Sequence, residues 1–149
     1  MLKRKVDDSL TAWKNKPDRR CLMIRGARQI GKTTSVRNFG KKYGSFIEIN
    51  FLKNPGLSDV FSGNLDADTL LLNFSLYLPD AVFVPGDTLL FLDEIQECPN
   101  AITSLKFWME DRRFDVIASG SMLGIDYKRP VSYPVGSVDY IDMYPMSFE

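Results

Sequence analysis

Apolar residues along the chain fall into short continuous runs and helical stripes that alternate with one another. Val6, Leu10 and Trp13 recur at helical spacing and predict an amphipathic helix over residues 5–14, closed by Lys16-Pro17-Asp18. The run Arg20-Cys21-Leu22-Met23-Ile24-Arg25 has no helical period and reads as a strand. Val36, Phe39 and Tyr43 then lie at i, i+3 and i+7, one face of a helix that Gly44 stops. A second strand is predicted over 45–51, an irregular segment over 52–64, and a helix from about Asp66 to Tyr77. Pro79 and Pro85 bracket the approach to a third apolar run, Thr88-Leu89-Leu90-Phe91-Leu92. Ile102, Leu105 and Met109 mark one face of a helix over 100–110, with the core aromatics Phe107 and Trp108 beside them. Phe114-Asp115-Val116-Ile117-Ala118 is the next buried strand and runs into Ser119-Gly120-Ser121. This alternation predicts one three-layer α/β domain over residues 1–149. Its central sheet is mainly parallel, and its ligand sits at the C-terminal ends of the strands.

Two junctions in this pattern carry chemistry. Between the first strand and its helix stands Gly26-Ala27-Arg28-Gln29-Ile30-Gly31-Lys32-Thr33, which meets every fixed position of the phosphate-binding pattern G-x-x-x-x-G-K-[ST]. The two glycines let successive backbone N–H groups turn inward onto anionic oxygens, and the helix beginning at Lys32 adds the positive end of its dipole. Lys32 is suited to reach the β and γ phosphates, the Thr33 hydroxyl to ligate Mg²⁺, and Thr34 to touch the α phosphate. The third apolar run ends in Asp93 and Glu94, adjacent acids that a fully buried strand has no packing reason to carry. Asp93 is the candidate for ordering the Mg²⁺ water shell, and Glu94 the candidate base for the water that attacks the γ phosphate.

Composition narrows the remaining choices. Of 149 residues, 44% are hydrophobic and 26% charged, an ordinary balance for one globular domain with a core. No apolar run approaches a membrane span, and Met1-Leu2-Lys3-Arg4-Lys5 leads into acids instead of a signal core, so a cytoplasmic location is expected. The chain has no histidine and two separated cysteines, Cys21 and Cys98, which excludes His-dependent catalysis and a zinc site and predicts two buried thiols. Net charge is zero, yet residues 1–44 hold 13 of the 19 basic and 3 of the 19 acidic groups. That basic segment suits nucleotide and permits DNA binding without demonstrating it; solvated helix and loop charges rank ahead of DNA.

The blocks Asp93-Glu94-Ile95-Gln96-Glu97-Cys98-Pro99, Ala118-Ser119-Gly120-Ser121-Met122-Leu123-Gly124, Ser132-Tyr133-Pro134-Val135-Gly136 and Tyr144-Pro145-Met146-Ser147-Phe148-Glu149 accompany the phosphate loop. Together they resemble the predicted AAA+-superfamily P-loop ATPases of bacteria and archaea, over residues 20–149. The resemblance implies Walker A and B motifs, ATP in preference to GTP, and Mg²⁺. It also implies a sensor-type polar group from Ser119 or Ser121 at the end of the fourth strand, Ser121 being slightly favoured. Arg112, Arg113 and Arg129 remain as arginines that act on a neighbouring copy; Ser137 stands where members of the family carry a basic residue. In that family a helical lid and a C-terminal domain of unknown function follow, so the chain is expected to be an excised core with weak turnover, lacking the lid. ATP hydrolysis coupled to conformational change in that region leads; a homo-oligomer or a protein partner acting through it stays open. A nucleotide-gated DNA-binding module is the alternative. A small-molecule kinase is disfavoured, because residues 51–85 carry a single basic side chain, Lys53.

Overall fold

The computed structural model describes residues 2–26, 31–121, 136 and 138–143. Its elements follow the order α1 (Leu2–Lys14), β1 (Cys21–Gly26), α2 (Lys32–Gly40), β2 (Ser45–Asn50), α3 (Ala67–Tyr77), β3 (Thr88–Asp93), α4 (Pro99–Asp111), β4 (Asp115–Ser121) and β5 (Val138–Met143). Short 3₁₀ segments lie at Pro55–Phe61 and Ile95–Glu97. The described strands form one sheet in the order β2-β3-β4-β1-β5, with every pairing parallel.

This order fixes which helix covers which face. From β1 the chain crosses over β4 and β3 to reach the far edge at β2, then walks back through β3 to β4. Right-handed crossovers in opposite directions put their helices on opposite faces. Accordingly α2, joined by α1, packs Val36, Phe39, Val6, Leu10 and Trp13 against Leu22, Ile24, Phe91 and Ile117. The other face carries α3, α4 and the first 3₁₀ segment, whose Val60 and Phe61 meet Leu70, Phe74, Leu105 and Trp108 over Met23, Ile49, Leu92 and Ala118. β3 is buried at all six positions, the reason its sequence is a continuous apolar run and not an alternating one. The result is a three-layer α/β domain.

Several element ends differ from the expected ones. α2 stops at Gly40, three residues short of Tyr43; the Lys41 N–H donates to the Asn38 carbonyl at 3.3 Å and the Lys42 N–H to the Phe39 carbonyl at 3.1 Å, closing the last turn. Tyr43 stays on the same buried face, where its hydroxyl donates to Asp115 at 2.6 Å. Asp66 lies one residue before α3 as its N-cap, accepting from the Thr69 N–H at 3.0 Å. The stretch read as irregular contains the 3₁₀ segment Pro55–Phe61, and β5 is an additional strand.

The segregated charges also find an arrangement. Arg19 and Lys14 pair with Asp115, Lys16 with Asp139, Arg25 with Asp142 and Arg37 with Glu48. Bases from residues 1–44 therefore neutralise acids from the remainder, and much of the positive segment is engaged within the fold. Both cysteines are buried and free, and burial pushes both thiols above their ordinary value. Among the described residues no helix is long and apolar enough to cross a membrane.

Candidate functional site

The site gathers where β1, β3 and β4 end beside the N-terminus of α2. Gly31 is the N-cap of α2 at φ 76°, a left-handed conformation in open space, so the backbone angle and not crowding is what calls for glycine. Gly26 closes β1, in register with Ser121 on β4. Ala27, Arg28, Gln29 and Ile30 lie outside the described residues.

Lys32, in the first turn of α2, is buried, and its Nζ donates to the carbonyl oxygens of Gly26 at 3.2 Å and Gly120 at 3.0 Å. It therefore bridges the ends of β1 and β4. Thr33 follows, half-buried, and its hydroxyl donates to Asp93 Oδ2 at 2.8 Å. Strand parity explains this contact. Asp93 shares the face of Leu89 and Phe91, which α2 covers, so its carboxylate rises towards the first turn of that helix. Asp93 Oδ2 also accepts from Asn50 Nδ2 at 3.4 Å, and Oδ1 from the Glu94 N–H at 2.9 Å. Burial raises the Asp93 carboxyl above its ordinary value of 3.8, against the opposing pull of the Thr33 hydroxyl and with the Glu94 charge adding to the rise. Thr34 is exposed.

Ser119 stands in register between Ile24 on β1 and Asp93 on β3. It is fully buried, and its Oγ has no hydrogen-bond partner. A buried hydroxyl left unpaired is uncommon and marks a place where a ligand oxygen or water is wanted. The Ser121 backbone completes β4; its side chain is outside the described residues.

Glu94 lies past the strand in a left-handed conformation, φ 54° and ψ 47°. The next residue, Ile95, is fully buried and pins the 3₁₀ turn to the core. Glu94 Oε1 accepts from Gln96 Nε2 at 2.7 Å. Asn50 and Gln96 were not singled out by sequence reasoning. Asn50 ends β2 in register with Asp93, and Gln96 falls two residues beyond Glu94, the spacing from which each partner could have been found.

The candidate trans-acting arginines lie elsewhere. Arg112 caps α4 at the opposite end of the sheet, donating to the Arg19 carbonyl at 3.1 Å. Arg113 is paired with Asp68 and Asp111. Arg129 is outside the described residues.

Residues 18–149 match the family model described as "AAA domain". The chain belongs to the AAA domain family. Its general character is therefore that of a nucleotide-binding AAA ATPase. No curated protein matches the sequence. Among solved structures, this AAA domain is similar to the Walker-type ATPase PABY2304 of Pyrococcus abyssi, with 15% identity and a TM-score of 0.52 over 97% of this chain and 53% of that one. It is also similar to C. elegans PCH-2, with 15% identity and a TM-score of 0.48 over 95% of this chain and 39% of that one. The first likeness supports the fold, and the chain spans about half of that structure.

Proposed function

We propose that this AAA domain binds ATP with Mg²⁺ and hydrolyses the γ phosphate, with Glu94 as general base. The observation that carries this reading is the Thr33 hydroxyl and the Asp93 carboxylate 2.8 Å apart, beside a buried Lys32. A hydroxyl, a carboxylate, phosphate oxygens and water form the hard oxygen set that Mg²⁺ takes, and among the described residues no cluster of His, Cys, Asp and Glu offers a different metal a cage. The unpaired Ser119 Oγ beside Asp93 fits the same picture, as a donor awaiting a water or phosphate oxygen. When bound, Mg²⁺ would neutralise charge on the β and γ phosphate oxygens.

The side chains divide the remaining work. Lys32 exchanges its carbonyl contacts for phosphate oxygens and stabilises the charge that develops on them. Glu94 accepts a proton from the attacking water as its oxygen bonds to the γ phosphorus and the bond to the β,γ-bridging oxygen breaks, releasing ADP and phosphate. Ser119, or Ser121, orients that water or the γ phosphate. The backbone N–H groups of residues 26–34, including Ala27, Arg28, Gln29, Ile30 and Thr34, enclose the phosphates. Coupling of turnover to conformational change in a C-terminal region belongs to the same proposal.

The engagement of Arg19, Arg25 and Arg37 in ion pairs favours this reading over a DNA-binding one. Calorimetric titration with MgATP, beside phosphate release, tests it. Wild type is expected to bind and release phosphate, whereas Lys32→Ala loses affinity about a hundredfold. Equal affinity in the two proteins would show that Lys32 does not hold the nucleotide.

A further inference from the structure

We propose that Gln96 is a positioning residue that holds the Glu94 carboxylate for its water; this rests on Glu94 being the base. The backbone at Glu94 is fixed by its left-handed conformation, by the buried Ile95, and by N–H bonds from Glu97 to the Glu94 carbonyl at 3.1 Å and from Cys98 to the Ile95 carbonyl at 2.9 Å. The carboxylate itself stands at the end of rotatable bonds that a general base cannot leave unset. Gln96, from the same tight turn, donates Nε2 to Glu94 Oε1 at 2.7 Å.

The other end of that amide shows what the contact is for. Gln96 Oε1 is buried with no hydrogen-bond partner. It lies against the Gly120 α-carbon on β4, where a β-carbon would come within 3.0 Å of it. Turning the amide over would set its oxygen against the Glu94 oxygen and gain nothing for the pair. A glutamine kept for packing would satisfy both ends or be replaced by an apolar side chain of the same length. This one leaves an acceptor orphaned in order to keep a donor on the carboxylate, and the absence of a side chain at Gly120 gives it room. Gly120 also supplies one of the carbonyls bound by Lys32, so the elements that hold base and phosphate-binding lysine meet at a single residue of β4.

Gln96→Met separates positioning from packing, since it keeps length and volume while removing both donor and orphan. The full chain is compared as wild type, Gln96→Met, Glu94→Gln and the double variant. The measurements are apo melting, kcat and KM for MgATP, and affinity for MgADP with tetrafluoroaluminate relative to MgADP alone. Gln96→Met is expected to melt at or above wild type and to keep KM. Its kcat should fall about tenfold or more, with a parallel fall in the affinity ratio. The double variant should be no slower than Glu94→Gln alone, because Gln96 acts through that carboxylate. An inactive Glu94→Gln beside a fully active Gln96→Met with an unchanged ratio overturns the role of Gln96 alone. A Gln96→Met that loses stability and nucleotide affinity together makes the residue structural. A Glu94→Gln enzyme at wild-type rate removes Glu94 as the base, and the positioning role with it.

Discussion

Replacing Ser119 with alanine should make the AAA domain more stable and less active at once. The Ser119 side chain is fully buried in β4, between Ile24 and Asp93, and its Oγ has no partner. Desolvating a hydroxyl without compensation costs about 1–3 kcal/mol, and alanine removes that penalty while leaving little more than one atom's void. For a chain of this length the gain corresponds to a rise in apo Tm of roughly 2–10 °C. Turnover should move the other way, by about tenfold or more, if the hydroxyl orients the attacking water or the γ phosphate. The assay is thermal unfolding followed by circular dichroism without nucleotide, beside phosphate release from MgATP on the same samples. A fall in Tm would mean that the hydroxyl is satisfied in the folded protein and serves the core. A rise in Tm with unchanged kcat would leave the burial argument standing and remove Ser119 from the site.

Lys32→Met removes two ammonium contacts that join β1 to β4, to the Gly26 and Gly120 carbonyls. The apo chain should lose about 1–3 kcal/mol, read as a drop in denaturation midpoint in urea, and a midpoint equal to wild type would show those contacts to be worth nothing. For Asp93 the sign follows from burial, which raises its carboxyl above 3.8. The folded chain holds this proton more tightly than the unfolded one, so its contribution is present in acid and lost as pH rises through the raised value. Asp93→Asn cannot ionise, and the Tm difference between the variant and wild type should widen from acid to neutral pH; a difference flat with pH contradicts the assignment. Magnesium dependence of nucleotide binding should also weaken in Asp93→Asn, measured as the affinity ratio with and without Mg²⁺.

What could be read from the sequence is what local chemistry enforces. The phosphate loop is legible because a left-handed Gly31, a lysine and a threonine must follow one another wherever a strand turns into a helix around phosphate. β3 is legible because burial on both faces demands an unbroken apolar run, and the acids at its tip then stand out. β5 is not legible in the same way. Its Asp139 and Asp142 interrupt an apolar pattern and find partners in Lys16, the Arg20 N–H and Arg25, more than a hundred residues earlier. The same distance hides the resolution of the charge asymmetry, which depends on pairs that exist only once the sheet has formed. Tyr43 keeps the helical phase of Val36 and Phe39 although α2 ends before it, because its hydroxyl is drawn to Asp115 across the layer. Within the site, the face that Asp93 shares with Leu89 and Phe91 is set by strand parity alone, whereas the contact from Gln96 to Glu94 depends on a 3₁₀ turn in which Ile95 is buried.

Whether Glu94 takes the proton from the attacking water is read out by single-turnover phosphate release. Wild type and Glu94→Gln would be loaded with MgATP at protein in excess, with bound nucleotide measured on each. Glu94→Gln should bind MgATP within about twofold of wild type and release phosphate about a hundredfold or more slowly. Phosphate released at the wild-type rate by a fully loaded Glu94→Gln protein would contradict the role of Glu94 as the base.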